Sequence, residues 1–181
     1  MGNFAPTLLA MTELTETGTT SDPATGGSAV VEPRVDLDVH LPAFSRAMSR
    51  LDSTAGTGLD PRLVELVRTR ASMINGCAYC IDMHSKDAVV KGETTQRLVS
   101  LPAWRETPYF TPAERAALAL TEQVTTIAGT GLTDAVYAEA ARHFTESELA
   151  SLIALVVVIN AWNRIGVSTR AWEPGSYRPG D

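Results

Sequence analysis

Two cysteines and three histidines among 181 residues are a sparse supply of reactive side chains. Two thiols cannot build the multi-bridge framework with which small secreted chains compensate for a thin core, so these two point to chemistry before architecture. Neither a second CxxC nor an HxxxH is present to complete a zinc site in the usual paired spacing. Positive charge is short as well: 15 Lys and Arg against 21 Asp and Glu leave a net charge of −6 and a pI near 5.1. That balance argues against broad attraction to nucleic acid or to an anionic membrane surface. The basic start and cleavage site of a secretory signal are missing, and Pro6 stands where a myristoylation signal after Met1-Gly2 wants Ser or Thr. A cytoplasmic protein without a lipid anchor is expected. The longest apolar run, Leu149 to Ile159, contains Ser151 and falls short of the ~20 residues a membrane span needs, so it reads as a buried helix. The β-branched alternation of strands is also absent.

What is present is ordinary globular material, with 44% of residues apolar, and one soluble domain is expected. From Thr15 to Ser28 hardly a large apolar residue occurs, and such a stretch cannot offset the entropy of ordering it. A disordered tail is therefore expected over 1–32, with Met11 as an alternative start, followed by one domain over 33–181. Beyond the tail, apolar residues recur at three and four, and Pro and Gly fall between the periodic stretches. The pattern predicts an all-α fold of about seven helices: 42–54, 61–75, 77–91, 95–101, 112–128, 133–143 and 146–171. Thr111-Pro112-Ala113-Glu114 and Thr145-Glu146-Ser147-Glu148 read as capping boxes, and Asp60-Pro61 as a third helix start. The last helix carries Leu149, Leu152, Ile153, Val156, Val157 and Ile159 around much of its circumference, which suits a core helix or an oligomer contact.

The informative segment is Leu63 to Gly92. Residues three and four apart on a helix are neighbours, so Cys77, Cys80 and His84 share one stripe, with His84 below Cys80 and able to take a thiol proton. Asn75-Gly76 suggests that the helix begins at Cys77, where unpaired amides stabilise an anion. A pKa lowered from ~8.5 to ~6.5 would turn a minor thiolate fraction into the major one at neutral pH. The helix terminus favours Cys77 as the attacking sulfur and His84 favours Cys80, so spacing leaves the choice open. A disulfide brings β-carbons to ~3.8 Å, closer than two residues three apart in a regular helix, so Cys77 is expected in a relaxed first turn. Zinc held by this stripe would need a fourth ligand from Glu65, His143 or His40. On its own, Glu65 beside Arg68 reads as a solvated charge, on a helix whose apolar stripe is Leu63, Val67, Ala71 and Ile74. His143 complements a helix end. Tyr79, Trp104, Trp162 and Trp172 read as core or interface residues. The polar cluster Asn160-Ala161-Trp162-Asn163-Arg164 in an apolar helix points to a pocket wall or a subunit contact.

Taken together, Glu65, Cys77-Ala78-Tyr79-Cys80 and His84 resemble the core of the AhpD-like alkylhydroperoxidases within the carboxymuconolactone decarboxylase superfamily. The likeness runs on through Ile74-Asn75-Gly76, Gly92-Glu93-Thr94, Leu101 to Thr107 and Ile159 to Arg164, and covers about residues 40 to 178. It implies an AhpD-like helical fold, assembled as a trimer or hexamer, and a peroxidase that reduces organic hydroperoxides without a cofactor or metal. Carried over by position, Cys80 is the peroxidatic thiol, Cys77 its resolving partner, His84 the base and Glu65 the end of a proton relay. An external dithiol, lipoyl- or thioredoxin-like, would reset the disulfide. The chain departs at Tyr79, where the archetype has a second histidine. A phenol does not ionise usefully near neutral pH, so either a slower peroxidase or a relay through His84 and Glu65 alone is expected. The alternatives are a carboxymuconolactone decarboxylase-like lyase with incidental cysteines, and a non-enzymatic, metal-stabilised helical oligomer. Decarboxylase members typically lack the cysteine pair.

Overall fold

Helix starts and stops written in single residues set the architecture. In the computed structural model, which describes residues 32–180, the helices are α1 (Leu37–His40), α2 (Pro42–Thr54), α3 (Pro61–Asn75), α4 (Ala78–Val90), α5 (Thr95–Ser100), α6 (Pro112–Thr125), α7 (Ile127–Thr130), α8 (Asp134–Ala141) and α9 (Glu146–Thr169). A 3₁₀ segment, Leu101–Glu106, follows α5 directly. No strand occurs among the described residues, and the fold is all-α. The tail expected over 1–32 lies outside the described residues except for Glu32.

Both capping boxes form: Thr111 Oγ1 accepts from Glu114 N while Glu114 accepts from Thr111 N, and Thr145 and Glu148 repeat the exchange. Asp60 caps α3 by accepting from the amides of Arg62 and Leu63, with Pro61 at the first helical position. Each cap satisfies amides that a helix start leaves without a partner.

The differences from expectation are local. Two one-turn helices, α1 and α7, add to the seven; α1 is held by Asp36, which accepts from Asp38 N and Val39 N, and α7 is what remains of the predicted 112–128 after Thr126 leaves helical geometry. The predicted 146–171 stops at Thr169 because Arg170 turns left-handed at φ 52°. Cys77 lies outside α4, with consequences for the site.

α3 is the central element, packed against α4, α6 and α9. Leu63 and Val67 enter a core shared with Ala117 and Leu120 of α6 and Leu152, Leu155 and Val156 of α9. Leu66 enters a second core with Ala88, Leu98, Leu101, Trp104, Phe110 and Leu118. A helix filled on both flanks keeps little of its surface in water, so Glu65, Thr69 and Ser72 are buried beside the apolar residues. α9 is longer than the apolar run that marks it. At 24 residues and a mean hydropathy of 1.6 it is long and apolar enough to cross a membrane by length and composition, yet it packs on α3, α6 and α2. Its inner face supplies Leu152, Leu155, Val156 and Ile159, all essentially inaccessible, each contributing about 1.5–3 kcal/mol relative to exposure.

Glu122 ties the second core together. It accepts from Trp104 Nε1 at 2.8 Å, Arg70 Nη2 at 2.7 Å and Arg105 Nη1 at 2.5 Å. Burial pushes its carboxyl up, but these hydrogen bonds prevail and hold it below the usual range. Trp104 is thereby the core residue that its sequence context suggested.

Candidate active site

The site is built where α3 hands over to α4. Gly76 ends α3 at φ 68°, a conformation that glycine adopts without penalty and that reverses the chain within one residue. Cys77 follows as the residue that caps α4, with extended dihedrals of −84° and 96°, and its sulfur lies 3.4 Å from Cys80 N. The expected relaxation at the first turn takes the form of a cap: the Cys77 dihedrals are extended, while its carbonyl still accepts from Ile81 N at 2.9 Å. The reason is geometric, because the Cys77–Cys80 disulfide requires closer β-carbons than a regular turn gives. The two Cα atoms stand 5.3 Å apart, and each cysteine is 2% exposed.

One turn further along α4, His84 Nδ1 meets Glu65 Oε2 at 2.9 Å. Glu65 is fully buried, which overturns its reading as a solvated charge: α3 has no solvent side at this level because α4 covers it. Lys91 Nζ donates to Glu65 Oε1 at 2.5 Å, and Arg68 lies 3.6 Å from the same oxygen. Burial alone would raise the Glu65 carboxyl. The His84 hydrogen bond and charge, then Lys91 and Arg68, outweigh it and leave the carboxyl below its usual range. An ionised carboxylate only accepts, so Nδ1 of His84 carries the hydrogen and Nε2 is left as the basic position. Lys91 was missed in the sequence, where nothing marks a lysine 26 positions from Glu65 as its partner.

A cavity of about 240 Å³ opens over this constellation. Cys80 and His84 lie in its lining together with Met83, Asp52 and the rings of Tyr79, Trp162 and Trp172. The rings pack on one another, Tyr79 to Trp172 at 5.5 Å between centroids and Trp162 to Trp172 at 5.8 Å, edge on. Three of the four aromatics read as core or interface residues line the cavity. Trp172 follows the last helix, on a segment with no periodicity to place it.

Trp172 is seated by Gly166. A β-carbon built there would stand 3.1 Å from Cys77 Sγ and 3.3 Å from Trp172 Cζ3, so a bare helix backbone is what lets sulfur and indole approach α9 together. The signal was available as an isolated glycine inside a helical pattern. Beneath the cysteines, the polar cluster of α9 forms a bracket, while its Trp162 lines the cavity as a pocket wall. Asn75 Nδ2 donates to Asn160 Oδ1 and Asn163 Oδ1, each at 2.9 Å; Asn163 Nδ2 donates to Ser72 Oγ at 2.9 Å; Arg164 Nη1 donates to Asn160 Oδ1 at 2.9 Å. These bonds fix the end of α3, and so the start of the cysteine turn, on the long helix.

The zinc set considered from sequence is not assembled. The two sulfurs are bonded to each other, His143 pairs with Glu139 at 3.2 Å, and His40 lies in α1. Among the described residues, Glu65, His84 and Asp87 bring ligand atoms within 4.8 Å of one another. Both Glu65 oxygens, however, already face His84 and the Lys91 ammonium.

With this geometry in hand, residues 42–123 match the Carboxymuconolactone decarboxylase family. The chain is 42% identical over 104 residues to an uncharacterised protein, YdfG, of Bacillus subtilis, covering 58% of this chain and 71% of that one. Its fold matches a protein of unknown function from Agrobacterium tumefaciens, described as a candidate antioxidant defence protein AhpD, with TM-score 0.76 and 35% identity over 79% of this chain and 99% of that one. It also matches an uncharacterised peroxidase-related protein with an AhpD core from Ralstonia eutropha, with TM-score 0.67 and 19% identity over 77% and 74% of the two chains.

Proposed function

Because the chain belongs to the carboxymuconolactone decarboxylase family, on its AhpD-like side, we propose that it is a thiol-dependent peroxidase that reduces organic hydroperoxides through Cys77 and Cys80. The observation that carries the reading is the pairing of a disulfide whose Cys80 lines a cavity with a buried His84–Glu65 couple. In the reduced protein His84 Nε2 takes the Cys80 proton. The thiolate attacks the distal oxygen of ROOH, the O–O bond breaks, and the alkoxide leaves as ROH with the proton returned from His84. Cys80 is then a sulfenic acid. Cys77 displaces its hydroxyl as water and closes the disulfide. An external dithiol, of lipoyl or thioredoxin type, restores both thiols and is itself oxidised, so that ROOH and a dithiol become ROH, water and a disulfide.

Glu65 serves as a positioning residue, holding the imidazole in one tautomer, and Lys91 and Arg68 keep Glu65 ionised. The exposed apolar residues of α9, Val157 and Val167, suit assembly with further copies of the chain, a trimer or hexamer. The family name keeps a lyase in view; a lactone decarboxylase would be indifferent to thiol alkylation and would consume no peroxide.

The test is intact mass with thiol trapping, before and after one equivalent of cumene hydroperoxide, on reduced protein and on Cys77→Ser and Cys80→Ser. The wild type should lose two hydrogens, and only Cys77→Ser should yield a trapped sulfenate. Unchanged free thiols, or equal and full activity of both variants, would sink the assignment.

A further inference from the structure

The chain does not end at its long helix. After Thr169, residues 170–179 fold back along α4 and are pinned to it: Gly175 N donates to Asp82 Oδ2 at 3.1 Å, Lys86 Nζ donates to the Tyr177 carbonyl at 3.1 Å, and Tyr177 Oη donates to Asp87 Oδ1 at 2.8 Å. Asp82 and Lys86 also pair with each other at 2.7 Å. Burial, then the bond and charge of Asp87, push the Tyr177 phenol up to about 12, so it remains a donor through the physiological range. The strap is thus fixed to the helix that carries Cys80, and its Trp172 stands in the cavity wall.

Resting on the peroxidase reading above, we propose that this strap supplies the specificity wall of the dithiol cavity, and that Trp172 selects uncharged hydroperoxides bearing an aryl ring. Size comes first. An apolar cavity of about 150 Å³ holds benzene, so about 240 Å³ accommodates a phenyl ring with a short branched peroxide. Hydrogen peroxide, close to water in size, would leave most of that space without contacts. Shape comes second. Trp172 touches both Tyr79 and Trp162, which presents a substrate ring with the offset and edge-on neighbours that aromatic rings prefer. Charge comes third. The lining residues include no lysine or arginine, and the Asp52 carboxylate among them is engaged by Arg68 at 3.1 Å. The one basic group of the lining, His84, is already paired with Glu65 at 2.9 Å, so an anionic hydroperoxide would find no free counter-charge there.

The experiment separates recognition from chemistry. Pre-reduced protein is mixed with cumene hydroperoxide, tert-butyl hydroperoxide or hydrogen peroxide, quenched by alkylation on the millisecond scale, and the single-turnover rate of disulfide formation is read by mass. No reductant step enters. In parallel, the affinity of the disulfide form for 2-phenyl-2-propanol and for tert-butanol is measured by NMR titration. Wild type should favour the aryl compound in both assays. Trp172→Ala should lose about tenfold of that preference in each, equivalent to about 1.4 kcal/mol. Trp172→Phe, which keeps a ring, should retain most of the preference, and it guards against a strap that detaches when the indole is lost. Equal slowing with all three peroxides, or an unchanged aryl preference in both assays, overturns the proposal. A wild type inert to every peroxide overturns the peroxidase reading instead, and the alcohol titration then decides alone whether Trp172 recognises an aryl ring.

Discussion

Glu65→Gln isolates what the buried carboxylate does, because it keeps the shape and removes the charge. In the wild type Oε2 meets His84 Nδ1 at 2.9 Å and Oε1 meets Lys91 Nζ at 2.5 Å. An amide offers one acceptor and one donor, so either the imidazole N–H or the ammonium then confronts an NH₂. Removing one partner of a buried ion pair costs about 3–5 kcal/mol. Lys91 keeps 38% of its side chain in solvent and can rehydrate, which places the expected loss at the lower end, about 3 kcal/mol. For a domain of this size that lowers Tm by about 6–12 °C.

Stability should also lose a pH dependence. The folded Glu65 carboxyl lies below its ordinary value of 4.5, so between the two values the folded protein binds fewer protons than the unfolded one and stability rises with pH. The contribution is complete above the ordinary value and disappears as pH falls through the lower folded value; the glutamine variant should lack that slope. In single turnover at neutral pH the variant should oxidise about 100-fold more slowly, within the range ascribed to a positioned base. Calorimetry across pH 3 to 7 and quench-flow alkylation provide the readings. A Tm within about 2 °C of wild type, together with a rate within about threefold, would refute the reasoning for Glu65.

Two further outcomes bear on how the site is held. Asn163→Ala removes an acceptor from Asn75 and a donor from Ser72 in a fully buried place; at about 1–3 kcal/mol per unsatisfied group thermal scans should show a loss of about 2–4 kcal/mol, and a loss under about 0.5 kcal/mol contradicts the bracket. Gly166→Ala should gain up to about 1 kcal/mol of helix propensity while its new methyl crowds Trp172 and Cys77. Because Trp172 sits on a strap and can give way, the expected result is a Tm change under about 3 °C with a shifted tryptophan emission. A large Tm loss with unshifted emission would show that the cysteine turn is what yields.

How much of this was legible follows from where each signal lives. α2 and α3 match their predicted bounds because their punctuation is local: Pro42, the Asp60-Pro61 start and the Asn75-Gly76 stop. Cys80 and His84 come to one cavity because the four-residue repeat of a helix needs no tertiary information. Glu65 needed the resemblance. Periodicity divides a helix into an inner and an outer face, and α3, packed on both flanks, has no outer face at that turn. Lys91 and the strap were out of reach for a related reason. Their contacts are single polar bonds to residues far along the chain, 26 positions for Lys91 and about 90 for Tyr177, and no composition or period encodes such a partner.

The position that breaks the family pattern then acquires a physical sense. Where the archetype carries a histidine, Tyr79 places its ring 5.5 Å from Trp172, against the same strap that is fastened through Asp82, Lys86 and Asp87. A histidine there would add a titrating group beside Cys80; a tyrosine adds apolar area to the wall instead. Under the proposed mechanism all proton handling then falls to His84. Its partner Glu65 is held below the usual carboxylate range against the desolvation that raises it, by His84 first and then by Lys91 and Arg68. The aromatic wall and the paired carboxylate thus meet at one cavity, Tyr79 and Trp172 shaping its side while Glu65 fixes the imidazole that lines it.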